Sequence, residues 1–199
     1  MPAHQLRRIC VFCGSSAGLK PAYRAATEAF GRELVARKIG LVFGGGGIGL
    51  MKHVADAVLA AGGHAIGVIP DALFSREVGH PGLPDLRIVK SMHERKALMA
   101  DLSDAFVALP GGFGTFEEIC EAITWTQLGL HQKRCGFLNV EGFYDPLLAL
   151  FDRAVQSGFL SEHNRDIVFA TDDPRTLLDQ LASPMPAPER AWLISTEQT

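Results

Sequence analysis

The sequence lacks any apolar segment long enough to cross a membrane. Its first apolar run, residues 9–13, is also far too short for the hydrophobic region of a secretory signal. No other segment reaches the length of a membrane helix without charges. We therefore expect a cytoplasmic protein with no membrane partner.

Clustered positive charge is also scarce. The formal net charge is -3 at pH 7, and basic residues are grouped at most in pairs, such as Arg7-Arg8 and Arg95-Lys96. Proteins that bind nucleic acid usually carry a clustered basic face. The composition therefore disfavours nucleic acid as the main partner.

Cysteine is sparse, with four residues in the chain. Cys10 and Cys13 match the C-x-x-C pattern, which is a redox motif when it lies at a helix N-terminus. Here both lie in a strand-like run, where residues three apart point to opposite faces. No second pair has the spacing of a zinc site. We expect buried, inert thiols, and we expect no metal site.

Short apolar runs alternate with helical patterns along the chain. Strands are predicted at residues 8–13, 39–43, 65–69, 86–89, 105–109, 135–140 and 167–170, and helices at 21–37, 50–61, 93–102, 116–128, 146–156 and 174–181. Continuous apolar runs between helices are typical of a parallel sheet covered on both faces. We predict an α/β, Rossmann-like, doubly wound sheet of about seven mostly parallel strands, with helices on both faces. It forms one domain over residues 1–182, followed by a loosely attached tail at 183–199.

Three of the predicted strand ends carry loops of small residues. In open α/β sheets, ligands bind beyond the carboxyl ends of the strands, and loops of this kind let backbone N–H groups approach a phosphate. Tight turns and close helix–sheet packing are the structural alternative. We expect a bound phosphate-bearing nucleotide, and the candidate contacts are Gly14, Ser15, Gly45, Gly46, Gly111, Gly112, Gly114 and Thr115.

A rival interpretation rests on Gly44, Gly46 and Gly49. These residues match G-x-G-x-x-G between a predicted strand and a helix, and Asp71 follows about one strand later, as in a dinucleotide fingerprint. The pattern would indicate an NAD(P)-dependent oxidoreductase. However, the motif follows the second strand, and the chain has no room for a separate substrate domain. A non-catalytic nucleotide-binding or carrier protein would share the same glycine loops.

Glu118 follows the third glycine loop and supports two interpretations. Thr115-x-x-Glu118 is a capping box, in which the two side chains close the start of a helix. Alternatively, Glu118 lies in the first turn of a helix that faces a phosphate. Its carboxylate would then stabilise a developing cation on a ribose or orient a water, as in glycoside hydrolysis. The spacing alone leaves both open.

Arg95 and Lys96 occupy an unusual place for cations, since they open a predicted helix whose N-terminal dipole repels positive charge. They form either a solvated pair, ion-paired with a neighbour such as Glu94, or a donor group. As a donor, Arg95 would serve a phosphate, a base nitrogen or Glu118.

These segments together resemble a known family. Residues 110–118 match P-G-G-x-G-T-x-x-E, and residues 91–96 match its M-H-x-R-K partner. The chain is similar over nearly its whole length to the LONELY GUY family of cytokinin riboside 5'-monophosphate phosphoribohydrolases, which are often mislabelled as lysine decarboxylases. We find no lysine placed as a pyridoxal phosphate anchor: Lys52 and Lys96 both have simpler interpretations, as phosphate contacts or surface residues.

The resemblance implies hydrolysis of the N-glycosidic bond of AMP or N6-prenylated AMP, giving free base and ribose 5-phosphate, with no metal or organic cofactor. The catalytic pair of the family falls on Arg95 and Glu118. Its phosphate contacts fall on the loop at 111–115, and the second motif adds Met92 and Lys96. Trp125 and residues 127–129 follow the pattern of the dimeric branch, which implies a homodimer.

Overall fold

The structure, a computed structural model, describes residues 6–74 and 79–185. In these ranges it contains seven strands: β1 Arg8–Phe12, β2 Gly40–Phe43, β3 Ala65–Pro70, β4 Asp85–Val89, β5 Ala105–Ala108, β6 Cys135–Leu138 and β7 Val168–Thr171. The same ranges contain eight α-helices: α1 Pro21–Ala36, α2 Gly49–Ala60, α3 Asp71–Phe74, α4 Met92–Asp101, α5 Phe113–Gln127, α6 Asp145–Gln156, α7 Glu162–Arg165 and α8 Pro174–Ala182.

All seven strands form one sheet in the order β4-β3-β2-β1-β5-β6-β7, and every neighbouring pair is parallel. The chain builds outward from β1 to β4, and then crosses back to place β5 beside β1. The direction of winding therefore reverses between β1 and β5. This arrangement confirms the predicted doubly wound α/β fold, and it makes the carboxyl ends of β1 and β5 the expected ligand position.

The core lies on both faces of the sheet, which explains why the strands are apolar without alternation. Ile9 and Val11 pack with α1, α2 and α8 on one face, whereas Cys10 and Phe12 pack with α4 and α5 on the other. Cys13 is buried on the face opposite to Cys10, as predicted from their spacing. Burial raises the pKa of both thiols, and the nearby charge of Glu118 adds to the effect.

The main differences from the predicted elements concern helix starts and short helices. The one-turn helices α3 and α7 lack a periodic apolar pattern, because four residues are too few to show one. Helix α5 begins three residues earlier than predicted, at Phe113. None of the helices described is both long and apolar enough to span a membrane.

The domain boundary predicted at residue 182 stays a prediction. Of the predicted tail, only residues 183–185 belong to the described part of the chain, and 186–199 lie outside it. Arg134 donates hydrogen bonds to the carbonyl groups of Ser183 and Pro184. The first residues after α8 are therefore held against the loop that leads into β6.

Candidate active site

A cavity of about 220 Å³ lies at the point where the winding of the sheet reverses. Its lining comes from the end of β1, from the loops that follow β1, β2 and β5, and from α2, α3, α4 and α5. It is lined by Val11, Phe12, Cys13, Gly14, Ser15, Gly44, Met51, Leu73, Arg95, Gly112, Phe113, Gly114, Thr115 and Glu118. The position agrees with the expectation for ligands of doubly wound sheets.

A buried ion pair lies in this cavity. Arg95 on α4 donates from Nη1 to Oε1 of Glu118 on α5 at 2.8 Å, and each side chain is only 10% exposed. The Nε of Arg95 donates to the carbonyl oxygen of Val68 at 3.1 Å. Buried charges are stable only when paired and hydrogen-bonded, and these contacts supply that compensation.

Helix α4 presents Arg95 to the cavity through a capped first turn. The Ser91 hydroxyl accepts a hydrogen bond from the Glu94 N–H at 3.1 Å, and Glu94 accepts one from the Lys90 N–H at 2.8 Å. Glu94 is therefore part of the cap, and the predicted alternative in which it pairs with Arg95 is wrong. The dipole penalty on a cation at this helix start is offset by Glu118, the partner also proposed from the sequence.

The start of α5 corrects the predicted capping box. The N-cap is Gly112, no side chain caps it, and Thr115 lies buried within the first turn. A Cβ at Gly111 would lie 2.1 Å from Oγ1 of Thr115, so this turn packs directly on the glycine loop. Glu118 consequently lies beyond the first turn of α5, and its carboxylate is directed to Arg95. The first N–H groups of α5 have no carbonyl partner within the helix, which suits an anion.

Backbone hydrogen bonds join the loop after β1 to the loop after β5 and to the start of α2. Gly14 donates its N–H to the carbonyl of Pro110 at 3.0 Å, and its own carbonyl accepts from the N–H of Leu50 at 3.0 Å. Ser15 is exposed beside them, on the cavity wall. The structure thus brings together the predicted contacts Gly14 and Ser15 with Gly112, Gly114 and Thr115.

The second glycine loop, which follows β2, serves mainly to pack against neighbouring backbone and contributes little to the lining of the cavity. Gly45 has a φ of +75° and lies against Val68, and Gly46 forms an antiparallel bridge with Gly79. Gly49 has a φ of +58°, and a Cβ there would lie 2.3 Å from the carbonyl carbon of Ser15. Close packing therefore accounts for these glycines. None of the three is among the residues that line the cavity, which disfavours the dinucleotide interpretation.

Three further predicted binding residues also lie outside the cavity. Lys96 forms ion pairs with Glu117 and Glu121 on α5. Met92 is 41% exposed at the first position of α4, and Gly111 lines a neighbouring cavity of about 330 Å³. Lys52 pairs with Asp56, so neither lysine that was considered as a pyridoxal phosphate anchor lines the site.

Sequence reasoning missed the apolar lining of the cavity. Phe12 ends β1 and Cys13 follows it, directly before Gly14, so their place next to a predicted loop was a usable signal. Met51, Leu73 and Phe113 carried no comparable signal, because their inward position depends on how α2, α3 and α5 pack. These side chains add apolar surface to a cavity that holds a buried ion pair.

The electrostatics of the cavity centre on Glu118. Burial raises the pKa of its carboxyl group, and the positive charge of Arg95 opposes that rise. The guanidinium of Arg95 supplies only hydrogen-bond donors. In the described part of the chain, no group of three or more His, Cys, Asp or Glu side chains is placed to hold a metal ion. The arrangement provides one carboxylate, one fixed cation and a helix start without a side-chain cap.

Comparisons with known proteins match most of the chain. The family model described as "Possible lysine decarboxylase" matches residues 51–181. The chain is 52% identical over 182 residues to the cytokinin riboside 5'-monophosphate phosphoribohydrolase LOG of Oryza sativa subsp. japonica, covering 92% of this chain and 75% of that protein. It is 50% identical over 190 residues to LOG3 of Arabidopsis thaliana, which carries the same enzyme name, covering 96% and 88%.

Solved structures add a likeness of fold. The molybdenum cofactor carrier protein of Chlamydomonas reinhardtii superposes with a TM-score of 0.66 at 19% identity, covering 89% of this chain and 98% of that one. At that identity the likeness shows the fold alone. The identity to the plant enzymes is far higher and spans nearly the whole chain. The chain therefore belongs to the family of cytokinin riboside 5'-monophosphate phosphoribohydrolases.

Proposed function

We propose that this protein hydrolyses the N-glycosidic bond of cytokinin riboside 5'-monophosphates, releasing the free base and ribose 5-phosphate. The observation that carries the proposal is the Arg95–Glu118 pair, buried in a cavity whose rim is the uncapped start of α5. The enzyme names of the plant relatives point to the same reaction.

The phosphate group is expected at the start of α5. The first turn of α5 lines the cavity together with Ser15 and Gly112. Its free N–H groups and the helix dipole favour a negative charge there. Glu118 lies four residues beyond Gly114, which is about 6 Å along the helix axis. That distance suits a ribose 5-phosphate, with the phosphate at the rim and the sugar beside the carboxylate.

Glu118 would act on the sugar during bond cleavage. As the bond between C1' and the base nitrogen breaks, its electron pair leaves with the base and positive charge develops on the ribose. The carboxylate stabilises that charge and orients a water to attack C1'. The water's oxygen forms the new bond to C1', and the proton that the water loses balances the one that the departing base nitrogen takes up. Arg95 fixes the carboxylate and favours its ionised form, which is the form needed for this role.

The remaining candidate residues have supporting parts in this proposal. Gly14, Gly112, Gly114 and Thr115 form the phosphate end of the cavity together with Ser15. Lys96 holds α4 against α5 through its ion pairs with Glu117 and Glu121. Gly45, Gly46 and Gly111 pack the loops, and Met92 lies at the exposed edge of α4.

A product assay over several nucleotides tests the function. Purified protein is incubated with AMP, with isopentenyladenosine 5'-monophosphate and with the matching nucleosides, and free base is separated by chromatography. We expect base from the monophosphates and little or none from the nucleosides, because these lack the group that binds α5. Nucleotide-induced thermal stabilisation without any product would instead support a carrier protein.

We further propose that the protein is a homodimer that buries an apolar groove between α5 and α6. The groove, of about 240 Å³, includes Ile123 and Phe151, and its rim carries Phe159, which is 89% exposed. Leu130, beyond the end of α5, is a further exposed apolar side chain, at 66% exposure. Apolar patches of this kind usually mark an interface.

Light scattering should give the mass of a dimer, and Phe159→Asp should give a monomer. A monomeric unsubstituted protein would refute the proposal.

A further inference from the structure

We propose that Gly44 is a positioning residue, because its missing side chain leaves the space in which the guanidinium of Arg95 turns towards Glu118. This inference rests on the function proposed above for that pair. Gly44 follows β2 directly, is buried and lines the cavity. The first glycine of the run at 44–47 would thus serve an arginine and not a phosphate.

The space above Gly44 is filled by the arginine. A Cβ at this position would lie 2.2 Å from Nη2 of Arg95 and 3.2 Å from the sulfur of Met51, whereas ordinary contact begins at 3.4 Å. The φ of Gly44 lies outside the left-handed region, unlike those of Gly45 and Gly49. An alanine would therefore fit the backbone, and its conflict would be with the guanidinium and with Met51.

Arg95 cannot move away without cost. Its Nε is bound to the carbonyl oxygen of Val68 at 3.1 Å, and its Nη1 to Glu118 at 2.8 Å. A shift of the guanidinium would disturb these bonds but would not require the backbone to move. The fold should therefore survive a methyl group at Gly44. The shift needed is more than 1 Å, and a misplacement of about 1 Å at a catalytic centre can reduce the rate by ~100-fold.

Displacing the guanidinium has a consequence for Glu118 that does not depend on turnover. The titratable and charged groups that act on this carboxyl and its surroundings are Arg95 and Lys96 on α4, Glu117 and Glu121 on α5, and the thiols of Cys10 and Cys13 at β1. Two cations, Arg95 and Lys96, lower the pKa of Glu118, and Arg95 has the larger effect. Moving it away should raise that pKa further.

The test is Gly44→Ala, followed by two measurements. The first is a titration of the Glu118 carboxyl by ¹³C NMR, assigned with Glu118→Gln, and the second is kcat/KM for the nucleotide. We expect a higher pKa for Glu118 and a loss of ~10–100-fold in kcat/KM, mainly in kcat. An unchanged pKa in Gly44→Ala would overturn the proposal, whatever the activity.

Two glycines provide matched controls. Gly31→Ala places a Cβ 2.9 Å from that of Ala57 between α1 and α2, so it should lower stability without moving the pKa of Glu118. Gly82→Ala meets nothing closer than 3.8 Å and should change neither quantity. A pKa shift in Gly31→Ala as large as that in Gly44→Ala would show that general strain is the cause, and the proposal would fail.

A double-mutant cycle with Arg95→Lys isolates the contact. Lysine has no Nη2, so Gly44→Ala should add no further shift in the pKa of Glu118 in that background. A full additional shift would overturn the proposal. If Gly44→Ala alone does not fold, the double variant should fold, because the 2.2 Å conflict is gone and only the milder 3.2 Å contact with Met51 remains, and an unfolded double variant is contrary evidence. Should the unsubstituted protein release no base, the proposed function fails, while the titration still decides the part played by Gly44.

Discussion

Arg95 and Glu118 lie 23 residues apart in sequence and meet through a 2.8 Å hydrogen bond between α4 and α5. Both side chains are largely buried and both line the cavity at the reversal of the sheet. Removing one partner of such a pair leaves an uncompensated charge in the interior. The two residues therefore act as a unit, and substitutions at either should affect the other.

Glu118→Gln should remove the charge while keeping the shape and an acceptor for Arg95. We expect kcat to fall by about 10²–10⁴-fold, because the carboxylate that stabilises the ribose cation and orients water is lost. Circular dichroism should show the fold retained. Glu117→Gln is the matched control, since Glu117 is exposed and pairs with Lys96, and it should stay within a few-fold of the unsubstituted rate. Similar losses in both variants would contradict a special role for Glu118.

Arg95→Lys should move the acid limb of the pH–rate profile. Burial raises the pKa of Glu118 and Arg95 lowers it, so a weaker and differently placed cation leaves that pKa higher. The active form is the carboxylate, and activity is therefore lost at a higher pH as the solution is acidified. Comparing kcat/KM from pH 4 to pH 8 measures the displacement. A limb that stays in place, or moves to lower pH, would show that Arg95 does not tune Glu118.

His131 should make stability depend on pH. Its half-buried ring lies 5.2 Å from that of Phe106, and burial together with Lys133 lowers its pKa to about 4. In the unfolded chain the imidazole of His131 takes up a proton at a higher pH than in the folded protein. The free energy of unfolding therefore has its full value above pH ~6.5 and falls as the pH drops towards 4. The loss should be at most about 2 kcal/mol, because solvent screens a half-buried group.

Urea titrations at pH 7.5 and pH 5 check this expectation. His131→Asn keeps an acceptor for the N–H of Lys133, which Nδ1 of His131 binds at 3.3 Å, and it removes the titrating ring. The variant should lose less stability on acidification than the unsubstituted protein. An equal loss in both proteins would assign the pH dependence to other groups.

Tyr144→Phe should lower stability through the loop that precedes α5. The buried hydroxyl of Tyr144 donates to the carbonyl oxygen of Leu109 at 2.6 Å, directly before Pro110. Without it that carbonyl is left unsatisfied, which costs about 1–3 kcal/mol. The free energy of unfolding in urea should fall by this amount. An unchanged value would mean that water or a shift of the loop replaces the bond.

Much of the fold could be predicted from the sequence because each strand is buried on both faces. Runs such as residues 65–69 and 105–109 are continuously apolar, and that pattern distinguishes a covered parallel sheet. The start of α5 could not be placed in the same way. Thr115 has the side chain of a cap, but the tight packing of Gly111 against it moves the start to Phe113.

The candidate site was predictable only in part. The glycine loops after β1 and β5 pointed to its location, since the ends of neighbouring parallel strands meet at one edge. The role of Gly44 depends on an arginine 51 positions later, at Arg95, and no local pattern reports such a contact. The local motif G-x-G-x-x-G pointed instead to a phosphate cradle.

Release of free base under single-turnover conditions tests the central claim most directly. Excess purified protein is mixed with isopentenyladenosine 5'-monophosphate, and base and ribose 5-phosphate are quantified over time beside Glu118→Gln. The proposed mechanism predicts one equivalent of each product from the unsubstituted protein and almost none from the variant. No product from the unsubstituted protein, or equal rates in both, would contradict it.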